Sequence, residues 1–215
     1  MNKTIGVIAG TPVDTQMGVD FLLSKGIKAI GFQTANSPKE QHQLQLLHKD
    51  KLYDIVVQII LEAKETGIDK FFVYCNSLSA AVDMDKVSED TDAFIVTPFT
   101  AYHAIAKDYS KLLVLAANGQ SCAKIETILM ETNNDIKMWS ISSAPLVEEI
   151  ESRNTEKDIF QKLAIGKILY WAEDNGVDGI ILGCTHFPYI SDILLDNTTI
   201  PIIDPAEMML ERLLG

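Results

Sequence analysis

The sequence predicts an α/β protein built from two pseudo-symmetric halves, each containing a parallel sheet. Short apolar runs rich in Ile, Val, Leu and Phe alternate with longer amphipathic stretches, which is typical of buried parallel strands connected by helices. A segment in the first half of the chain also resembles a segment in the second half, as expected for a duplicated half. With 215 residues the chain is long enough for two such halves.

The apolar runs predict eight strands. They lie at Thr4–Ala9, Ile27–Phe32, Lys70–Tyr74, Ala93–Val96, Leu112–Ala116, Ile136–Ile141, Gly179–Leu182 and Ile200–Ile203. The clearest helical segments between them are Leu52–Glu65, Cys122–Glu131 and Ile159–Glu173. Because helices separate successive strands, we expect the sheets to be parallel.

The internal repeat is the most informative feature. GIDKFFVYC, ending at Cys75, resembles GVDGIILGC, ending at Cys184, at an offset of 109 residues (184 − 75). The same offset places Gly10, after the first strand, on Gly119, after the fifth strand. A period of this length suits a duplicated α/β half better than a solenoid repeat. The alternative is that any two strand–helix units share such a pattern.

Pro98, after the fourth predicted strand, is the expected boundary between the halves. We therefore assign residues 1–97 to the first half and residues 98–215 to the second. The alternative that the C-terminal segment packs back onto the first half stays open.

Charge and composition exclude several classes of protein. Eighteen basic and thirty acidic side chains give a formal net charge of −12, which argues against a partner that is nucleic acid or an anionic membrane. The N-terminal sequence MNKTIGVIAG lacks the pattern of a signal peptide, and no apolar window reaches the length of a transmembrane helix. Three cysteines without CxxC spacing indicate reduced thiols rather than disulfides or zinc. We expect a cytoplasmic protein.

Cys75 and Cys184 are candidates for chemistry because each follows a buried strand and precedes small polar residues. Such positions lie at the carboxyl edge of a parallel sheet, where α/β proteins bind ligands. Two pseudo-symmetric thiols facing each other across a cleft between the halves could serve opposite faces of one carbon, which is what inversion of a stereocentre requires. His186 could polarise Cys184 or act as an acid/base, whereas Cys122 is expected to be a buried apolar residue.

The segments YCNS (Tyr74–Ser77) and GCTHFP (Gly183–Pro188) resemble the two signature segments of the aspartate/glutamate racemase superfamily, the second being most similar to glutamate racemase. The resemblance implies two α/β halves with the active site in the cleft between them. It also implies proton transfer at the α-carbon of an acidic amino acid without pyridoxal phosphate or another cofactor. The segment APLVEE is similar to a stretch that contributes an acidic residue near the second cysteine, and on this match Glu148 is the candidate.

The resemblance assigns roles to particular residues. Cys75, Cys184, His186 and Glu148 are the expected catalytic residues. The expected substrate-binding residues are Gly10, Thr11, Asn76, Ser77, Asn118, Gln120 and Thr185. No metal site is expected. The only expected partner is a small acidic amino acid, and a homodimer stays open.

The sequence departs from the family pattern at the first strand, where Ala9-Gly10-Thr11-Pro12 replaces Asp-Ser-Gly. The aspartate usually found beside the first cysteine is therefore missing, and Asp14 or Thr15 could replace it in part. This departure leaves aspartate, glutamate or another substrate open. Two alternatives also stay open: an enzyme like hydantoin racemase or arylmalonate decarboxylase, and a protein that binds a small carboxylate without converting it.

Overall fold

The computed structural model describes residues 4–215. Residues 1–3, which belong to the predicted first half, lie outside the described residues. The strands are β1 Ile5–Ala9, β2 Ala29–Gln33, β3 Lys70–Val73, β4 Phe94–Val96, β5 Lys111–Ala116, β6 Lys137–Ser142, β7 Gly179–Gly183 and β8 Ile202–Ile203. All eight predicted strands are present within the described part of the chain, with ends that shift by at most two residues.

Helices connect the strands. They are α1 Pro12–Ser24, α2 Pro38–Leu47, α3 Lys49–Glu65, α4 Asn76–Ala81, α5 Met84–Thr91, α6 Phe99–Asp108, α7 Gly119–Thr132, α8 Ala144–Glu151, α9 Glu156–Lys162, α10 Ile165–Asp174, α11 Ser191–Leu195 and α12 Pro205–Leu214. A short 3₁₀ helix, Phe187–Ile190, precedes α11. Across residues 4–215, none of these helices has the length and apolar character needed to cross a membrane.

The strands form two four-stranded parallel sheets, which confirms the predicted fold class. The strand orders are β2-β1-β3-β4 and β6-β5-β7-β8, so both sheets have the same topology. In each sheet the chain runs outward in one direction from the first strand, then returns to its other side. Such a reversal is a topological switch point, and ligands of α/β proteins bind at the carboxyl ends of the two strands that flank it. Here those pairs are β1 with β3, and β5 with β7.

The chain divides into two compact units. Unit 1 comprises residues 1–100 and 206–215, and unit 2 comprises residues 101–205. The boundary after residue 100 lies three residues beyond the one predicted after residue 97, and α12 belongs to unit 1, an arrangement that the sequence left open. The physical reason is the apolar face of α12: Met209 and Leu213 pack with Ile5 and Phe72 in the core of unit 1.

The structure corrects the expected match between Gly10 and Gly119. Thr11 and Asn118 cap the helix that follows the first strand of each unit, α1 after β1 and α7 after β5, and their offset is 107 residues (118 − 11). Strand register agrees, since Ile8 pairs with Val73 and Leu115 pairs with Leu182. The second unit therefore has two extra residues between its capping residue and its cysteine, and Ala117 is the structural counterpart of Gly10.

The helix predicted over Ile159–Glu173 is two helices. Ala164 adopts a left-handed backbone conformation with φ 52° and ψ 37°, which ends α9 and starts α10. Both helices bury apolar residues in the core of unit 2, Ile159 from α9 and Leu169 from α10. The amphipathic period continues across the break, and it therefore predicted one helix where tertiary packing produces two.

Candidate active site

Cys75 lies at the switch point of unit 1, directly beyond β3. Its neighbour Tyr74 still pairs with β1 through a backbone hydrogen bond to Ile8, and α4 begins at Asn76. The thiol is buried. Cys75 Sγ lies 3.4 Å from Ser77 Oγ and accepts a hydrogen bond from Gln41 Nε2 at 3.3 Å. The structure thus brings the predicted residues Cys75 and Ser77 together.

Gln41 and Gln45 of α2 are site residues that the sequence did not reveal. Gln45 Nε2 donates to Ser77 Oγ at 2.9 Å, and both glutamines are buried. They lie four residues apart with Leu44 between them, so they share one face of α2, and this helix packs against α4, which follows β3. The polar composition of α2 looks like a solvated surface, and its spacing alone does not show which face is buried.

The carboxyl end of β1 is organised by Asp14. Its carboxylate accepts hydrogen bonds from the backbone N–H groups of Gly10 and Thr11, at 3.2 and 2.6 Å, and from Thr11 Oγ1 at 3.0 Å. This capping box starts α1, with Asp14 fully buried. Gly10 and Thr11, both expected to bind substrate, are therefore held at the start of α1 by these hydrogen bonds. The expected role of Asp14 as a replacement carboxylate stays a prediction.

Cys184 occupies the corresponding position in unit 2, directly beyond β7. Its Sγ lies 3.6 Å from His186 Nδ1, and both side chains are buried. His186 Nε2 lies 2.9 Å from Glu151 Oε1. A carboxylate accepts the Nε2 proton, so in the neutral imidazole Nδ1 presents its lone pair to the thiol. Glu151 also favours the imidazolium form that results when His186 takes the Cys184 proton. The arrangement can therefore move a proton to or from Cys184.

The carboxylate at His186 is Glu151, whereas the resemblance pointed to Glu148. Glu148 is exposed to solvent, although it is on the same helix, α8. Val147 is buried, and Glu151 follows it by four residues, so both lie on the inward face of α8. Helical periodicity could therefore have selected Glu151 from the three glutamates of this segment.

Two further predicted residues lie near Cys184. Thr185 follows it in the chain, and Asn118 follows β5, the strand that pairs with β7. Thr185 is buried, and its hydroxyl oxygen has no hydrogen-bond partner among the residues that the structure describes. A buried hydroxyl without a partner is unfavourable, by about 1–3 kcal/mol, so a ligand atom would be a natural partner for it. Asn118 instead uses its Oδ1 to accept hydrogen bonds from Ser121, which starts α7, and Gln120 is half-buried in that first turn.

Tyr102 is a fully buried phenol that lies close enough to Cys184 to be affected by its charge. Burial raises the pKa of Tyr102 well above its ordinary value, and negative charge on Asp204 and on Cys184 raises it further. Tyr102 is therefore a neutral phenol when the thiol loses its proton. Across the described part of the chain, no group of three or more His, Cys, Asp or Glu side chains is arranged to hold a metal ion.

The third cysteine, Cys122, differs from the other two in its position, since it lies within α7 rather than beyond the end of a strand. All three are similarly buried, with exposures of 3% for Cys75, 6% for Cys184 and 7% for Cys122. Burial raises the pKa of Cys122, and the nearby charge of Glu126 raises it further. Cys122 is thus held as an unreactive thiol.

This difference predicts which cysteine reacts with an alkylating agent. One equivalent of iodoacetamide at neutral pH should label Cys75 or Cys184 well before Cys122, because the thiolate is the reactive form. Peptide mapping by mass spectrometry after partial reaction measures the distribution. A label found mainly on Cys122 would contradict the prediction, and prior addition of substrate should slow labelling of the other two.

Comparison with known families identifies the chain. The family model for "Asp/Glu/Hydantoin racemase" matches residues 26–213, which is most of the sequence. The chain belongs to this family. The match includes both cysteines, His186 and Glu151, and the fold confirms the resemblance first suggested by the two cysteine segments.

Individual family members are distant. A glutamate racemase from Clostridium acetobutylicum is 22% identical over 98% of this chain and 84% of its own length. One from Trichodesmium erythraeum is 22% identical over 73% of this chain. This chain spans 50% to 60% of the length of the Trichodesmium protein and of two further glutamate racemases, from Caldanaerobacter subterraneus and Stutzerimonas stutzeri.

Solved structures of the family share the fold. Glutamate racemase from Francisella tularensis in complex with D-glutamate has a TM-score of 0.74 and 21% identity, and the match covers 99% of this chain and 81% of that one. Aspartate racemase from Picrophilus torridus has the same TM-score of 0.74 with 18% identity, covering 99% of this chain and 93% of that one. Both likenesses support the two-sheet α/β fold described above.

Proposed function

We propose that this protein is an amino-acid racemase that interconverts the L and D forms of aspartate or glutamate without pyridoxal phosphate. One observation carries the proposal within this family: each unit has a buried cysteine directly beyond the equivalent strand of its sheet, at the switch point. A racemase of this kind needs two groups that can each remove or return a proton, and a repeated cysteine provides them.

In the proposed reaction, one thiolate removes the α-proton of the substrate and the other thiol donates a proton to the opposite face. Cys75 and Cys184 are the two acid/bases. His186 and Glu151 assist Cys184 by accepting and stabilising its proton. The carbanion that forms between the two steps needs donors on the substrate carboxylate, because no cofactor delocalises its charge. Thr185 and Asn76 beside the cysteines, with Thr11 and Asn118 at the ends of β1 and β5, are the candidates for holding that carboxylate.

A direct assay tests the proposal. The purified protein is incubated with each enantiomer of aspartate, of glutamate and of a panel of neutral amino acids, and the products are separated by chiral chromatography. We expect the opposite enantiomer to accumulate from aspartate or from glutamate, without added pyridoxal phosphate and with activity retained after chelation. Binding of these amino acids without any inversion would instead favour a carboxylate-binding protein and contradict the proposal.

A further inference from the structure

Hydrogen bonding at Cys75 differs in kind from that at Cys184. Cys184 faces an imidazole, which is a titratable group. Cys75 is contacted by the side-chain amide of Gln41, which is neutral at all ordinary pH values. The contact comes from α2, the helix whose polar surface gave no sign of a role at the sheet edge.

Ser77 fixes the direction of the hydrogen bonds around the Cys75 sulfur. Its hydroxyl oxygen accepts from Gln45 Nε2 at 2.9 Å and from Gln41 Nε2 at 3.5 Å. A hydroxyl has two lone pairs and one proton, so with both lone pairs engaged the proton is left for Cys75 Sγ at 3.4 Å. Two donors, the Gln41 amide and the Ser77 hydroxyl, therefore converge on one sulfur atom.

We infer that Gln41 is a positioning residue that, together with Ser77, stabilises the thiolate form of Cys75. Hydrogen bonds donated to the charged form of a group favour that form and lower its pKa, in opposition to the effect of burial. A charged group, Asp14 of α1, lies at the neighbouring strand end, and its carboxylate accepts hydrogen bonds from the backbone N–H groups of Gly10 and Thr11. The consequence for catalysis, that Cys75 is ready to act as a base, rests on the proposed racemase function.

The glycine at residue 10 is a second, independent observation on the position of the Gln41 side chain. A Cβ atom at residue 10 would overlap the side-chain amide of Gln41. The end of β1 therefore accommodates Gln41 only because residue 10 is glycine, and Gly10→Ala should displace the amide from the sulfur. The family resemblance assigned Gly10 to substrate binding, which stays a prediction; in the structure its N–H donates to Asp14, and its lack of a side chain leaves room for Gln41.

The test measures ionisation of the three cysteines separately and does not require turnover. Protein labelled at cysteine Cβ is titrated by NMR, since the Cβ chemical shift follows thiol ionisation at each site. In Gln41→Met, which keeps the length of the side chain but removes the donor, the Cys75 midpoint should rise by about one pH unit. This corresponds to a roughly tenfold smaller thiolate fraction below the midpoint. The Cys184 midpoint in the same sample should be unchanged.

Matched variants make the result specific. Gln41→Glu should raise the Cys75 midpoint further, because a carboxylate repels the thiolate, and Gly10→Ala should reproduce the effect of Gln41→Met. Gln45→Met, from the same helix, removes a bond to Ser77 rather than to sulfur and should have a smaller effect. If Gln41→Met is too unstable, Gln41→Asn, which withdraws the amide by one methylene, should give the same shift.

An unchanged Cys75 midpoint in folded Gln41→Met or Gln41→Asn would overturn the inference, as would equal shifts at Cys75 and Cys184. A shift in a protein without racemase activity would contradict only the proposed function. Racemase activity with an unshifted midpoint would contradict only the role of Gln41. The experiment therefore tests the role of Gln41 and the proposed racemase function separately.

Discussion

Cys75→Ala and Cys184→Ala should each abolish inversion of the substrate, lowering kcat by at least about 10³-fold. The reason is that the proposed reaction needs one group on each face of the α-carbon, so neither thiol can replace the other. Each variant should still remove the α-proton from one enantiomer. With a substrate analogue that carries chloride at Cβ, this removal is seen as elimination of chloride, and the two variants should accept opposite enantiomers.

Heavy water provides a second measurement of the same two-thiol reaction in the unmodified protein. Early in the reaction, deuterium should appear at the α-carbon of the inverted product and hardly at all in the recovered starting enantiomer. This follows because the donating thiol exchanges its proton with solvent before it reacts. A single base serving both faces would instead put deuterium into both enantiomers together.

The matched control is Cys122→Ala, which should retain activity because Cys122 lies on the buried face of α7 and its pKa is raised by burial. Thermal unfolding of all three variants shows whether lost activity reflects lost structure. The two-thiol assignment would be wrong if Cys75→Ala and Cys184→Ala accepted the same enantiomer, or if either still racemised near the unmodified rate.

Glu151→Gln should lower kcat by roughly 10²-fold with little change in KM, which is within the range for loss of an assisting acid/base group. Glu151 contacts His186, so its effect should fall on proton transfer rather than on binding. Glutamine keeps the size of the side chain but lacks the negative charge that favours the imidazolium form of His186. Initial rates across a range of substrate concentrations separate kcat from KM.

Glu148→Gln is the control for this prediction, because Glu148 is on the same helix but exposed. It should leave both kcat and KM within about twofold, as is usual for exposed substitutions away from a site. If Glu148→Gln reduced kcat and Glu151→Gln did not, the family match would be right and the contact seen here would have no catalytic role.

The fold was predictable because its central strands, β1 and β3 in one sheet and β5 and β7 in the other, are buried on both faces. Burial makes each of these strands a continuous apolar run, and the helices between strands require parallel pairing, so the number of strands and the duplicated plan follow from the sequence pattern, whereas the strand order comes from the structure. Cys75, Cys184 and His186 were predictable for a related reason: they follow strand ends directly, where chain position alone places a residue at the functional edge of a sheet.

Tertiary structure decided the partners of those residues. Gln41 reaches Cys75 across 34 positions of sequence, and Glu151 reaches His186 across 35, through the packing of α2 against α4 and of α8 against the 3₁₀ helix. No local pattern specifies which polar side chain of a helix turns inward at a distant strand end, since burial of that side chain depends on what packs against it. The same reasoning applies to the position of α12. Its apolar face predicts that the helix is buried, but only the tertiary structure shows that it packs in unit 1. The sequence by itself thus determined the positions of Cys75 and Cys184 at the ends of buried strands. Tertiary packing determined which side chains contact each thiol.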